Sequence, residues 1–367
     1  MKQVNLLTDS PRRLFFHYLG PTIGSSMVTS IYILADTIMV GQGVGDAGLA
    51  ALTIFMPIVA SFFALGLLLG VGGGVLMSVA KGSGNESLAH KYFSTAMISA
   101  AVVSVCFAVF GAIFFDPMMY ALGADTTNIE LVRGYGLCYT VSAPLFIFSS
   151  SLQSFIRNDK SPRHAMIAVL TGSGLNILLD YLFIFVFKMG MFGASFATSI
   201  GTSITVCILI IHFFTKKNTM RFSFRFFSIK ALWEIAKCGF SSFLIECANA
   251  VLVFVFNHTL LKYIGSVGVT VYSIMSNVAV VCMSLFNGVT LAAQPIIATN
   301  HGADNHKRVL QVRHIGTITS SVIAVIIFCV GFFFPDLLIY SYVKGPTPEI
   351  LDLARYALRI YFLAYLF

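Results

Sequence analysis

Ten apolar runs dominate the chain, at residues 14–40, 47–80, 92–115, 129–155, 164–187, 191–214, 232–261, 266–299, 309–334 and 351–367. A helix of about 20 apolar residues crosses a hydrocarbon core of about 30 Å, whereas a barrel strand needs only about 9–11 residues. In lipid, every backbone N–H and C=O must find its partner within the protein, and runs this long can do so only as helices. Short polar turns such as "KGSGNESLAHK", "RNDKSPR" and "NHGADNHKR" separate them. Hydrophobic residues make up 57% of the 367 and charged residues 10%, against about 25% charged in a water-soluble chain. The pattern predicts an all-α polytopic membrane protein with about ten helices present. The first residues, "MKQVNLLTDSPR", are polar, and the run after them has no small-residue cleavage site, so it reads as a span and not as a secretory signal.

The net charge of +8 raises the question of nucleic acid, and its distribution answers it. With the N-terminus cytoplasmic, Arg12 and Arg13, Lys81 and Lys91, Arg157, Lys160 and Arg163, Lys216 to Lys237, and Lys307 to Arg313 all fall on the inner side. Few basic residues, such as Arg133, Lys188 and Arg355, fall outside. Such alternation is the signature of orientation in a membrane, so no nucleic-acid partner is expected. The seven cysteines stand singly in apolar runs, which excludes a paired redox or metal motif. No GxxxxGK[ST] stretch is present, which disfavours an ATP-driven pump. Nor is there an HExxH or GxSxG motif, so no catalytic residues and no enzyme activity are expected.

The longest basic loop, "TKKNTMRFSFRFFSIKALWE", interleaves phenylalanines with cations and suits a strip on the inner leaflet. It divides the chain into an N-terminal lobe of six helices (1–214), a cytoplasmic linker (215–231) and a C-terminal lobe (232–367). The lobes repeat each other at an offset of about 220 residues, a self-similarity to test before any other. Gly48 matches Gly268, Gly82 matches Gly302, Arg133 matches Arg355 and Tyr139 matches Tyr361. Both copies start on the same side, so the repeat is parallel, about an axis along the membrane normal. The second copy reaches only its fourth span before "YFLAYLF", and the expectation is of a C-terminally incomplete lobe lacking about two helices.

Polar groups inside the spans carry the functional reading. "GLNILLDYLFIFVF" places Asn176 and Asp180 four residues apart, on one helix face. A carboxylate at such depth costs at least a few kcal/mol and by default marks function. Segment one, "GPTIGSSMVTSIYILADTIMVG", holds Pro21 and Asp36; "GASFATS" holds Thr198; "FLIECANA" holds Glu246; and segment eight ends "AAQPIIATNHGADNHKR". Together these resemble the multidrug and toxic compound extrusion (MATE) family, nearest its bacterial drug-efflux branch, along the whole chain. The resemblance implies a twelve-helix antiporter of the plasma membrane, a source of antibiotic resistance. Such a protein exports amphipathic or cationic small molecules in exchange for protons or sodium, and needs no cofactor beyond that ion. It also implies that Asp36, Asn176, Asp180 and Thr198 form the coupling-ion site, and that Glu246 is the acidic residue of the other lobe.

The residues support this independently. At 1.5 Å per residue, Asp36 lies about 8 Å and Asp180 about 12 Å from the outer ends of their segments, so they share a depth. Two like charges in a low dielectric resist ionising together, which gives one of them the role of proton acceptor. Alternatively the carboxylates, the Asn176 amide and the Thr198 hydroxyl form an oxygen cage for a hard cation such as Na+. The sequence leaves both open. Pro21 is a candidate hinge, and Gln153, Asn249 and Gln294 are candidate cavity polars. The rival readings are a flippase for lipid-linked sugars, which would want a cavity rich in Arg and Lys, and a non-transporting membrane subunit. The transporter is expected to act as a monomer in the bilayer.

Overall fold

Among the described residues, the apolar runs of the sequence lie on helices. The computed structural model describes residues 4–263, 266–342 and 348–366. Its helices are α1 (Pro11–Gly43), α2 (Asp46–Gly82), α3 (Glu86–Ile113), α4 (Phe115–Ala121), α5 (Ile129–Val141), α6 (Ala143–Asn158), α7 (Pro162–Tyr181) and α8 (Gly190–Ile211). The second half has α9 (Ile229–Tyr263), α10 (Ser266–Gly302), α11 (His306–Phe333), α12 (Pro335–Tyr342) and α13 (Pro348–Leu363). Among the described residues, seven helices are long and apolar enough to cross a membrane, and α5 with α6, bent by 52° between them, make an eighth when the pair is counted as one span. The bend falls where Ser142 ends α5 and Pro144 sits in the first turn of α6. Proline has no N–H to continue the ladder and its ring crowds the preceding turn. The apolar run at 129–155 is thus divided between two helices. By contrast, α1 runs unbroken through Pro21. The longest helices, of 33 to 37 residues, measure about 50–55 Å at 1.5 Å per residue, well beyond the hydrocarbon core.

Several contacts recur in the two copies of the repeat. The α2–α3 turn passes through Gly84 at φ 76°, and the α10–α11 turn through Asp304 at φ 53°, a left-handed conformation that aspartate tolerates better than most side chains. Asn85 Oδ1 caps α3 by accepting Leu88 N at 3.0 Å, satisfying one of the free N–H groups of the first turn. At the opposite end Arg133 donates to both Asp116 oxygens at 3.2 and 2.5 Å. Arg355 does the same to Asp336 at 2.5 and 2.8 Å. Each arginine also has an acid three residues before it, Glu130 and Asp352.

The halves meet across crossed helices: α1 packs on α10, and α2 on α9 and α10. A side chain at Gly82 would strike the carbonyl oxygen of Thr299, and one at Gly302 would strike that of Val79. The two glycines are repeat mates, so the approach is a two-sided contact of backbone on backbone. Gly239 on α9 likewise faces the Leu68 carbonyl. Where α1 meets α10, Thr22 Oγ1 donates to Gly288 O at 2.7 Å. Small residues allow such crossings, in which close packing replaces the hydrophobic drive that lipid does not supply.

Two lead-in segments strap the same basic end. Before α1, Leu6 is buried among Val289, Ala292, Ile296 and Val312 of the other half. Its carbonyl accepts from Asn300 Nδ2 at 3.0 Å and Arg308 Nη2 at 3.2 Å, and Asp9 O accepts from Arg308 at 2.5 Å. Before α9, the linker docks reciprocally on the first half. Thr219 N donates to Asp159 at 3.0 Å and Ser223 N to Ser94 Oγ at 3.1 Å, and in the first turns of α9 Glu234 accepts from Tyr92 OH at 2.6 Å. Asp159 also accepts from Lys81 at 2.6 Å and His212 at 2.9 Å. Burial pushes its carboxyl up, but these donors and the lysine charge outweigh it and hold it below the ordinary aspartate range.

Gly239→Val should lower thermal stability in detergent by about 1–3 kcal/mol, the usual cost of overpacking a tight contact. Gly174→Ala, where an added Cβ meets nothing within 4 Å, should leave the melting curve unchanged or raise it slightly. Equal curves for both variants would contradict the close crossing.

Candidate functional site

Three helices assemble the site, because α7 packs along both α1 and α8. Asp36 projects from α1, Asn176 and Asp180 from α7, and Thr198 from α8, and all four are buried. Asn176 Nδ2 donates to Thr198 Oγ1 at 3.2 Å, and Thr198 Oγ1 donates back to Ala194 O at 3.0 Å. Asp36 and Asp180 lie close enough to feel each other's charge. The structure therefore brings together the four residues singled out from the sequence.

What they leave unsatisfied is informative. Asp36 Oδ1, Asn176 Oδ1 and both Asp180 oxygens are buried with no hydrogen bond of normal geometry, although the Asn176 amide lies near enough to Asp180 to act on its carboxyl. Four acceptor atoms so placed are costly in an apolar interior. A proton or a hard cation is the species that such an acceptor-only set fits.

Directly after Asp180, the helix widens into a π-helical turn, Leu182–Val186, closed by Phe187 N on Leu182 O at 2.8 Å. Such turns are rare and often stand at functional sites. Ile184 of this turn presses on Gly43 near the end of α1, where any Cβ would collide with it, so the C-terminal ends of the two carboxylate helices are in register.

Sequence reasoning missed the aromatic surround. Tyr32, Tyr135 and Tyr139 are all electrostatic neighbours of Asp36, and Tyr32 and Tyr135 of Asp180 as well. Tyr135 and Tyr139 are buried and stacked at 5.6 Å, with Phe146 4.2 Å from Tyr139. Their spacing of four residues on segment four was the available signal.

The remaining candidates stand apart. Pro21 lies in the first half of α1, beside the Thr22 contact with α10. Glu246 is half-buried on α9, which packs chiefly on α2. Gln153 donates to Ser149 Oγ within its own helix at 3.1 Å, and Asn249 is exposed. Gln294, with its Oε1 buried and unpartnered, lines a cavity of about 590 Å3 between α2, α10 and α11. In the first half the corresponding face of α2, at Gly70, Gly73 and Gly74, is covered by Ser151, Phe155 and Asn158 of α6.

Comparison with known proteins places this geometry in context. The MatE family model matches residues 21–182 and 238–367. Multidrug export protein MepA of Staphylococcus haemolyticus is 28% identical over 290 residues, 78% of this chain and 64% of that protein. MepA of Staphylococcus aureus is 25% identical over 290 residues, with the same two shares. The chain thus spans less than two thirds of the length of these relatives. Among solved structures, a MATE protein in complex with MaL6 superposes with a TM-score of 0.93 at 23% identity, over 100% of this chain and 82% of the other. A multidrug resistance MATE family transporter in an outward-facing conformation gives the same values. At that identity the likeness establishes the fold.

Thr198→Val should destabilise by about 1–3 kcal/mol, because it leaves the buried Asn176 amide without its acceptor. Asp180→Asn, which removes an unpartnered buried carboxylate, should unfold at the same temperature as the parent or higher. Thermal unfolding in nanodiscs distinguishes them; a large loss for Asp180→Asn would show that the carboxylate has a structural partner.

Proposed function

The chain belongs to the MatE family, and from that premise we propose that it exports amphipathic or cationic compounds in exchange for protons or sodium, by alternating access of its two halves. The observation that carries the reading is the set of four buried acceptors on Asp36, Asn176 and Asp180 without a hydrogen bond of normal geometry. The printed function of the MepA relatives, multidrug export, supports the choice of substrate class.

In this reading the coupling ion is the substrate that Asp36, Asn176, Asp180 and Thr198 hold. Empty, the pair of carboxylates repel each other across the seam between α1 and α7. Loaded with a proton or a sodium ion, they attract or tolerate each other, and α1 settles differently on α7. A ligand shifts a conformational equilibrium only by its differential affinity for the two states. Here that difference is the charge balance at the seam, and α1 transmits it to the other half through its contact with α10, with Pro21 as the point of flexure. Glu246 serves the second half. Basic residues of the strapped end face the cytoplasm, the protein resides in the plasma membrane, and the lobes are 1–214 and 232–367, joined by 215–231. It works as a monomer, without catalytic residues or a cofactor.

The energetics suffice. A membrane potential supplies about 2.3 kcal/mol per charge per 100 mV, more than the ~1.4 kcal/mol needed for a tenfold concentration of substrate.

In everted vesicles under proton and sodium gradients imposed separately, Asp180→Asn should abolish dye efflux while leaving the amount of inserted protein unchanged. Asp36→Asn should match it, and the double variant should be little worse than either, as expected of groups acting as one unit. Near-parental efflux by Asp180→Asn under both gradients would move the coupling role elsewhere, with Glu246 as the next candidate.

A further inference from the structure

The seam between the two carboxylate helices is closed by an apolar contact one turn beyond the carboxylates. On α1, Asp36, Val40 and Gly43 follow one another at offsets of four and three residues. On α7 and its π-helical turn, Asn176, Asp180 and Ile184 follow at offsets of four, so each set shares one helix face. Asp36 and Asp180 feel each other at one level, and Gly43 and Ile184 touch at the next, so the two faces oppose. A Cβ added at Gly43 would collide with Ile184 Cγ2 and touch the Phe185 ring at 3.5 Å. Val40 and Ile184 are buried in the same apolar cluster. Ile184 thus stands about 5.4 Å, one turn, beyond Asp180, over the seam that holds both carboxylates.

Beyond this contact the seam opens into a cavity of about 320 Å3 lined by Gln42, Gly43, Ile184, Phe185, Lys188 and Gly190. It lies at the C-terminal ends of α1 and α7, opposite the straps, and Gln42 and Lys188 on its wall are exposed. On other sides the carboxylates are walled in. Thr198 accepts from Asn176 at 3.2 Å, and Tyr135 and Tyr139 are buried and stacked. Ile184 itself stands on the least regular piece of its helix. Phe187 N returns to Leu182 O and Met189 N to Phe183 O, both at 2.8 Å, one and two residues wider than α-helical spacing. Lys188 and Gly190 follow at φ 53° and 57°. Tightening this turn to α-helical spacing rotates its residues about the helix axis and carries Ile184 off Gly43.

We propose that Ile184 is a plug on the access route of the coupling ion, which passes from the Gln42–Lys188 cavity, through the Ile184–Gly43 contact, to Asp36 and Asp180. Only the identity of the traveller rests on the transport reading; the route is a property of the seam. The contact leaves no space for a methyl group on Gly43, so an ion passes only when Ile184 is displaced. The cavity is a passage and not a resting place for a cation, because Lys188 stands on its wall while the acceptor oxygens lie one turn further in. In the proposed orientation this end faces outward, the side from which an inward gradient delivers the ion.

Access to position 180 is measurable without transport, so the route and the coupling role fail separately. Asp180→Cys in nanodiscs is treated with a small cationic thiol reagent, and modification at position 180 is followed over time by peptide mass spectrometry. Adding Ile184→Ala should raise the rate about tenfold, because the reagent samples the open fraction of a local equilibrium. Ile184→Val, which keeps a branched side chain over the seam, should stay within a few-fold of the parent. Leu152→Ala, in the same apolar cluster but on α6, should leave the rate unchanged. A bulky maleimide on Gln42→Cys should slow modification severalfold. An unchanged rate with Ile184→Ala would overturn the plug, and so would equal acceleration by Leu152→Ala, since the effect would then be general loosening. An unslowed rate with Gln42→Cys capped would overturn the cavity as the entrance.

Discussion

The halves of this protein touch where carbonyl oxygens occupy the place of side chains. At the α2–α10 crossing, Gly82 faces Thr299 O and Gly302 faces Val79 O. Lipid cannot push two helices together as water does, so association depends on van der Waals contact at short range and on shared polar groups. This crossing supplies the first and the lead-in straps supply the second. Leu6 and Asp9 lend carbonyls to Asn300 and Arg308 of the second half. The linker lends Thr219 and Ser223 to Asp159 and Ser94 of the first. The result closes one end of the molecule from both sides by the same device used twice.

That closure gives the site its meaning. Asp36, Asn176 and Asp180 lie on α1 and α7 of the first half, and α1 is also the helix that packs on α10 of the second. In the proposed reading, α1 carries a change of charge at the carboxylates to that interface. Buried oxygens without a donor are costly, and in the proposed reading that cost is what ion loading relieves. Strength is placed elsewhere: Asp159, buried like Asp180, is saturated with donors and serves to hold the linker.

Much of this was legible in the residues. Helix positions followed from apolar length, and the repeat from glycines and arginines that the structure shows in equivalent contacts: Gly82 with Gly302, and Arg133 with Arg355. The convergence of Asp36, Asn176, Asp180 and Thr198 followed from depth, helix face and the family resemblance. What escaped has a common cause. The bend at Ser142 depends on a single proline among many in the spans, and Pro21, of the same type, leaves α1 unbroken. The straps use backbone carbonyls of Leu6 and Asp9, which have no side-chain signature. Tyr32, Tyr135 and Tyr139 border the carboxylates, but tyrosine is common in membrane helices. The π-helical turn after Asp180 is a ladder shift that "LFIFV" does not announce.

The central claim is that loading the carboxylate pair alters the contact between the halves at the strapped end. Ser87 and Lys307 are exposed repeat mates in the first turns of α3 and α11, and spin labels there report the separation of the halves. Double electron–electron resonance in nanodiscs should show the distance distribution shift with pH or with sodium in the parent, and remain fixed in one population when Asp36 and Asp180 are both asparagine. A shift of the same size in that double variant would contradict the account, since the response would then originate at some other group.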